Sequence, residues 1–158
     1  MGHPISEPMA RLLRSNGVDE EKFAARSLTE SLVKKADLVL ALTRAQRSLI
    51  VELWPPSVRR TFTVREFARL LEEIDASAIP QGTPAERLCA AMPLAVARRG
   101  FRRTSEGDDV VDPFRLSDEV YATSFMEITA AVRIIVAVVL PSSSTLGPRY
   151  ALARTRQA

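Results

Sequence analysis

The chain has 158 residues, of which 46% are hydrophobic and 26% are charged. This length predicts one domain with a sizeable core, and the composition is that of an ordinary globular protein. The formal net charge is +3, and basic residues alternate with acidic ones, so the basic cluster typical of nucleic-acid-binding proteins is missing. A single cysteine, Cys89, and a single histidine, His3, exclude an internal disulfide and argue against a metal site, so we predict no metal and no cofactor.

No segment has the features of a membrane protein. The first residues lack the apolar core of a signal peptide. The most apolar run, IIVAVVL at residues 134–140, is far shorter than the about 20 residues that span a bilayer, and we interpret it as a buried helix end. The sequence therefore predicts a cytoplasmic protein without membrane contact.

The first two helices have recognisable starts. Ser6 as N-cap with Pro8 in the first turn begins the first helix, and Gly17 ends it. Ser27 and Glu30 form a capping box that predicts the start of the second helix.

Two strands are predicted. The continuous apolar run LVLAL at residues 38–42 indicates a fully buried strand of a parallel sheet. A helix follows it until Pro55 and Pro56, and the second strand lies in RRTFTV at residues 59–64.

Capping boxes also mark the later helices: Thr43 with Gln46, Thr63 with Glu66, and Thr83 with Glu86. The box at Thr83 places a proline at the first helical position, and Pro93 is predicted to bend that helix before it ends at Gly100. Ser117 is predicted to cap a long final helix with an apolar stripe formed by Tyr121, Phe125, Ile128, Val132, Ile135 and Val139.

Strands that alternate with helices predict an α/β fold with a parallel sheet flanked by helices. Two strands cannot cover the apolar faces of so many helices, so part of the sheet is predicted to be missing. Residues 1–140 are assigned to this domain. Residues 141–158 (PSSSTLGPRYALARTRQA) have no acid and no apolar periodicity, and we predict a disordered tail.

Four segments together resemble the low-molecular-weight protein tyrosine phosphatases, particularly their actinobacterial branch. They are GHPISEPMARLLRSNGVD, FAARSLTESLVKKADLVLALTRAQR, RRTFTVREFARLL and DDVVDPFRLSDEVY, in this order. The resemblance implies a three-layer domain that hydrolyses phosphate monoesters of the phosphotyrosine type without a metal. It also implies that Asp112, followed by Pro113, is the general acid and that Phe114 walls the substrate pocket. Some relatives carry a second acid where this chain has Arg115.

The resemblance also implies that half of the site is missing. Relatives carry their nucleophile in a Cys-x5-Arg-Ser loop after the first strand, upstream of the segment that matches GHPISEP. Here that segment follows Met1, so we expect a domain truncated at its amino terminus, without its first two strands, through a late start codon or as a real feature. Cys89 does not substitute, because Ala95 stands where the arginine is needed, and we interpret Cys89 as a small buried thiol.

The chain as given is therefore expected to be an inactive member of this phosphatase family. Three arginines are open to interpretation as phosphate ligands or as solvated side chains: Arg26, Arg44 and Arg47. The alternative function is a non-catalytic module that binds a protein partner, or itself as a homo-oligomer, through the apolar edge strand 38–42. A single cysteine argues against an arsenate reductase on the same fold. Asp112 also has a purely structural interpretation, since aspartate before proline commonly forms a turn.

Overall fold

The computed structural model describes residues 2–99 and 106–140. The predicted tail at 141–158 and the predicted helix stop at Gly100 lie outside the described residues. Along the chain the helices and strands are α1 (Glu7–Ser15), α2 (Glu30–Lys35), β1 (Val39–Ala41), α3 (Arg44–Leu53), β2 (Thr61–Thr63), α4 (Val64–Glu72), α5 (Pro84–Arg99) and α6 (Asp118–Val139). Short 3-10 turns occupy Pro55–Arg59, Ala76–Ala78 and Glu106–Asp108.

The two strands form a parallel sheet in which Val39 is paired with Thr61, Leu40 with Phe62 and Ala41 with Thr63. The predicted α/β fold with a parallel sheet is confirmed at this level, with two strands among the described residues. The prediction that the first strand is fully buried was wrong. Leu40 and Leu42 are each 40% exposed, because no further strand among the described residues lies beside β1.

The two faces of the sheet pack against different helices. Phe62 joins the larger core cluster, which is formed mainly by α4, α5 and α6 and includes the buried residues Phe67, Leu70, Leu71, Ala91, Ala95 and Ala131. Ala41 joins a smaller cluster with Val33 of α2 and Ile50 of α3. Side chains of a strand alternate between its faces, so Val39 and Ala41 share the smaller cluster while Leu40 lies on the other face.

Local signals placed most helix starts correctly. Thr63 and Glu66 make both hydrogen bonds of a capping box, and the hydrogen bonds between Thr83 and Glu86 repeat it at the start of α5. Gly17 has a φ of 76°, which favours glycine, and the chain turns there after α1. Pro93 lies inside α5.

The capping prediction for α2 was wrong by two residues. Its N-cap is Thr29, whose hydroxyl oxygen accepts a hydrogen bond from the Leu32 amide at 3.3 Å, and Ser27 lies outside the helix. At α3, Thr43 accepts from the Gln46 amide as predicted, but the Gln46 side chain accepts from the Leu42 amide. The second half of that capping box is therefore displaced by one residue.

The inward face of α6 agrees with the predicted stripe at Tyr121, Ile135 and Val139 and departs from it at Val132. Its buried residues are Tyr121, Ser124, Ala131, Ile135 and Val139, whereas Val132 is 42% exposed. α4 packs along one side of α6, so burial moves toward that side. Cys89 is exposed on α5, which corrects the prediction of a buried thiol.

The whole of α6 is long and apolar enough to cross a membrane, although the run 134–140 is not. Core helices of globular domains pass the same test of length and composition. Ala131 and Ile135 of α6 lie in the larger core cluster, although only 17% of the apolar window of this helix is buried. A single helix of this kind is weak evidence for a membrane span, and it assigns no location to the chain.

Candidate functional site

The loop that carries Asp112 lies at the carboxyl ends of both strands. The hydroxyl of Thr63, the last residue of β2, donates a hydrogen bond to the carbonyl oxygen of Asp108 at 2.7 Å. Two residues further on, the Val110 amide donates to the carbonyl oxygen of Leu42, which follows β1, at 2.9 Å. Residues 108–110 therefore cross the end of the sheet from β2 to β1. In open α/β sheets this is the end at which ligands are bound.

Two aspartates fix the loop to the helices that follow the strands. Asp108 is buried, and its carboxylate accepts from Nε and Nη2 of Arg69 at 3.1 and 3.0 Å. Asp109 accepts from the Arg44 amide at 2.6 Å and from Nε and Nη2 of its guanidinium at 3.1 and 3.0 Å. The Arg44 side chain, and then its amide, lower the pKa of Asp109, whereas hydrogen bonding to Asp108 raises the pKa of Arg69.

A third contact comes from α4 and α6 together. Arg65 donates to the Asp109 carbonyl oxygen at 3.0 Å and to Oε1 of Glu127 at 2.6 Å. Glu127 in turn accepts from the Val111 amide through Oε2 at 3.0 Å. Every residue from 108 to 111 is thus held by at least one hydrogen bond to another element.

Asp112 is the first residue after this fixed segment, and it is exposed. Its Oδ1 accepts a hydrogen bond from the Phe114 amide at 3.0 Å, which closes a local turn around Pro113. The Leu116 amide donates to the Pro113 carbonyl oxygen, and Arg115 has a φ of 61°. Asp112 therefore forms the local turn that its structural interpretation predicts, and the residue remains exposed to solvent.

Phe114 is 65% exposed and lines an open cavity of about 890 Å³. The remaining wall consists of residues from the amino-terminal segment and α1, among them Ile5, Ala10 and Glu20. The Arg115 guanidinium lies over the Phe114 ring, 5.1 Å from its centre. The loop thus places the Phe114 ring at the cavity, whereas Asp112, two residues earlier, is exposed and is not part of the cavity wall.

The structure does not place the other residues that the sequence suggested, three arginines and Cys89, around this loop as phosphate ligands. Arg44 is bound to Asp109, and Arg47 donates to the Thr61 carbonyl oxygen, so both have structural partners. Arg26 is exposed. Cys89 lies on α5, in the middle of a helix rather than in a loop.

Sequence reasoning missed three side chains that hold the loop, Arg65, Arg69 and Glu127, and it indicated Arg44 only as a phosphate ligand or a solvated side chain. One signal was available, because Arg65 and Arg69 are four residues apart and so lie on one face of α4. Their acidic partners, Glu127 for Arg65 and Asp108 for Arg69, are 62 and 39 residues away along the chain, and nothing in the sequence matches them.

Among the described residues, no group of three or more His, Cys, Asp and Glu side chains is arranged to hold a metal ion. Comparison with protein-family models, curated proteins and solved structures finds no match to this chain. The phosphatase resemblance therefore stays a prediction from the sequence.

Proposed function

We propose that this chain is a domain of the low-molecular-weight protein tyrosine phosphatase type that carries the acid half of a site for phosphate monoester hydrolysis. Asp112 is the general acid in this proposal, and Phe114 is the pocket wall. The chain as given is inactive because it has no nucleophile for the reaction.

The position of the Asp112 loop is the observation that carries the proposal. Hydrogen bonds from Thr63 and Val110 hold the loop at the carboxyl ends of two parallel strands, and ion pairs to Arg44 and Arg69 hold it further. A third parallel strand beside β1 would end at the same side of the sheet, so a phosphate-binding loop after it would lie near Asp112.

The chemistry gives Asp112 a defined task. When a thiolate attacks the phosphorus of an aryl phosphate, the leaving oxygen gains negative charge and needs a proton. Asp112 is exposed, and one of its oxygens already accepts from the Phe114 amide, which orients the carboxyl group. Pro113 restricts Asp112 to extended backbone geometry and so limits the directions that the carboxyl group can take.

The magnitudes explain why the chain as given is expected to be inactive. Loss of a general acid costs roughly 10²–10⁴ in rate, whereas loss of a nucleophile costs on the order of 10⁶. The single cysteine of the sequence, Cys89, is followed six positions later by Ala95, so it lacks the arginine that binds phosphate. Asp112 alone cannot compensate for both losses.

The test has two stages. The purified chain should not hydrolyse an aryl phosphate. When a segment with a strand, a Cys-x5-Arg-Ser loop, a helix and a second strand is fused before Gly2, turnover should appear. In that fusion Asp112→Ala should slow substrates with poor leaving groups by about 10²–10⁴, and those with good leaving groups much less, because only poor leaving groups need the proton.

Asp37→Asn is the matched control, since Asp37 is an exposed acid at the opposite, amino-terminal end of β1. It should leave both classes of substrate unchanged. A fusion that folds but remains inactive, or equal slowing of both substrate classes by Asp112→Ala, contradicts the proposal.

A further inference from the structure

The outer edge of β2 is closed by charged side chains. In a parallel pair, alternate residues bond to the partner strand, so Thr61 and Thr63 direct their backbone groups away from β1. The Thr61 carbonyl oxygen accepts from Arg47 Nε and from Arg99 Nη2, each at 3.0 Å. The Thr63 amide donates to Glu66 Oε2 at 3.3 Å. A further strand cannot pair there without displacing these side chains.

The outer edge of β1 is open in its first half. The Val39 amide donates to the Arg60 carbonyl oxygen at 2.8 Å, so Leu38 and Leu40 direct their amides and carbonyls away from β2. None of these four groups has a hydrogen-bond partner among the described residues. Leu42 differs, since its amide donates to Gln46 Oε1 and its carbonyl oxygen accepts from Val110.

The side chains along this edge are apolar. Leu40 is 40% exposed on the face of the sheet that carries Phe62, and Leu38 packs partly against the same core cluster. Residues 38–42 contain none of the lysines or prolines that natural proteins use to block edge pairing.

We propose that β1 pairs with β1 of a second copy of this chain, antiparallel and about a two-fold axis at Val39. In this register Leu38 lies opposite Leu40 of the other copy, and each of the two pairs exchanges both hydrogen bonds. The four bonds use the four open groups of each copy and leave the occupied groups of Leu42 undisturbed. Leu38 and Leu40 then contact each other on one face of a four-stranded sheet.

The symmetry of the open groups selects a second copy as the occupant. An antiparallel pair about a two-fold axis is closed, because the same patch serves both chains. Each strand supplies an equal number of donors and acceptors at equal spacing, and the opposing side chains are leucines on both sides. This inference concerns the chain as given and does not depend on the phosphatase proposal.

The first test measures mass by sedimentation over a range of concentrations. Wild type should approach twice the 17.4 kDa of one chain as concentration rises. Leu40→Lys should weaken this association by roughly tenfold or more, because each lysine then lies opposite the apolar Leu38 of the other copy and diagonally across from the second lysine. Leu49→Lys is the matched control, since Leu49 is a 63% exposed leucine on α3, and it should associate like wild type.

Hydrogen exchange on the wild type keeps the test independent of how the variants fold. The Leu40 amide should exchange slowly at concentrations where the dimer forms and rapidly on dilution. The Ala41 amide, which bonds to β2, should be protected at both concentrations. A monomer at all concentrations overturns the proposal, as does a dimer whose Leu40 amide exchanges freely. A monomer with a protected Leu40 amide also overturns it, because another segment of the same chain then covers the edge.

Discussion

The two strands of this sheet have the same length and direction but different surroundings. All three residues of β2 are completely buried, whereas Leu40 at the centre of β1 is 40% exposed. The difference arises from the helices that follow each strand. Glu66 of α4 reaches back to the outer edge of β2, whereas Gln46 of α3 reaches back only to Leu42, beyond the end of β1. A strand edge is thus closed by side chains that reach its free backbone groups from other elements, and strand length does not decide it.

The closed edge depends on a single carboxylate shared by two guanidinium groups. Glu66 accepts from Arg99 Nε and Nη2 at 2.8 and 3.0 Å and lies 3.8 Å from Arg47 Nε. Burial, and then the charge of Arg99, lower the pKa of Arg47. Arg99 also lies over the Phe62 ring, 4.1 Å from its centre. The negative charge of Glu66 therefore offsets the repulsion between the two partly buried guanidinium groups of Arg47 and Arg99 at the outer edge of β2.

The largest difference in stability between the two strands is expected at the paired residues Phe62 of β2 and Leu40 of β1. Phe62→Ala should lower the free energy of unfolding by about 3–5 kcal/mol, because it leaves a cavity in the larger core cluster. Leu40→Ala should cost only about 1 kcal/mol, since the side chain is already half in solvent. Urea denaturation at a protein concentration low enough for a monomer measures both. Equal costs would mean that β1 is as well covered as β2.

Removal of the shared carboxylate is the next largest effect. Glu66→Ala should cost about 3 kcal/mol, because Arg47 and Arg99 are left without their carboxylate partner and the capping box of α4 is lost. Glu72→Ala, at an exposed position of the same helix, is the matched control and should change stability by less than about 0.5 kcal/mol. A small loss at Glu66 would show that the cluster does not hold the β2 edge closed.

The smallest effect is expected at Asp109, which ties the loop to the end of β1. Its pair with Arg44 is more than one-third exposed on both sides, so Asp109→Asn should cost less than about 1 kcal/mol at pH 7. Hydrogen bonding from Arg44 lowers the pKa of Asp109. The stabilisation is therefore present above the unfolded-state pKa of about 3.9 and is lost as pH falls through the folded-state value.

The difference in unfolding free energy between wild type and Asp109→Asn should accordingly disappear in acid. Denaturation of both proteins at a series of pH values between 7 and 2 measures it. A difference that stays constant over this range would mean that the ionised carboxylate contributes nothing at the end of β1.

Predictions that rest on neighbouring residues largely held. The capping box of Thr63 and Glu66 and the stop at Gly17 join residues within one turn of each other, so their geometry is encoded locally. The prediction of Ser27 was wrong because serine and threonine are both good N-caps, and here the Thr29 hydroxyl accepts the hydrogen bond from the Leu32 amide.

The candidate site likewise has a part that neighbouring residues determine and a part that depends on distant contacts. The turn around Asp112 is local, and the Asp-Pro-Phe sequence indicated it. The contacts that hold the turn at the end of the sheet join residues 39 to 65 positions apart, between α3 or α4 and residues 108–109. Pairing of this kind has no periodicity that a single sequence can display. The exposure of Val132 likewise follows from which side of α6 meets α4.

The sequence by itself determined the order of strands and helices, most of the helix starts and the local turn at Asp112. Each of these depends on hydrogen bonds and side-chain spacing within a few residues. The resemblance predicted an edge strand at residues 38–42, but the tertiary structure alone decided that β2 is closed by Arg47, Glu66 and Arg99 and that the open groups of β1 are those of Leu38 and Leu40. Whether a strand edge is covered depends on which distant side chains reach it, and their directions are fixed only when the helices pack.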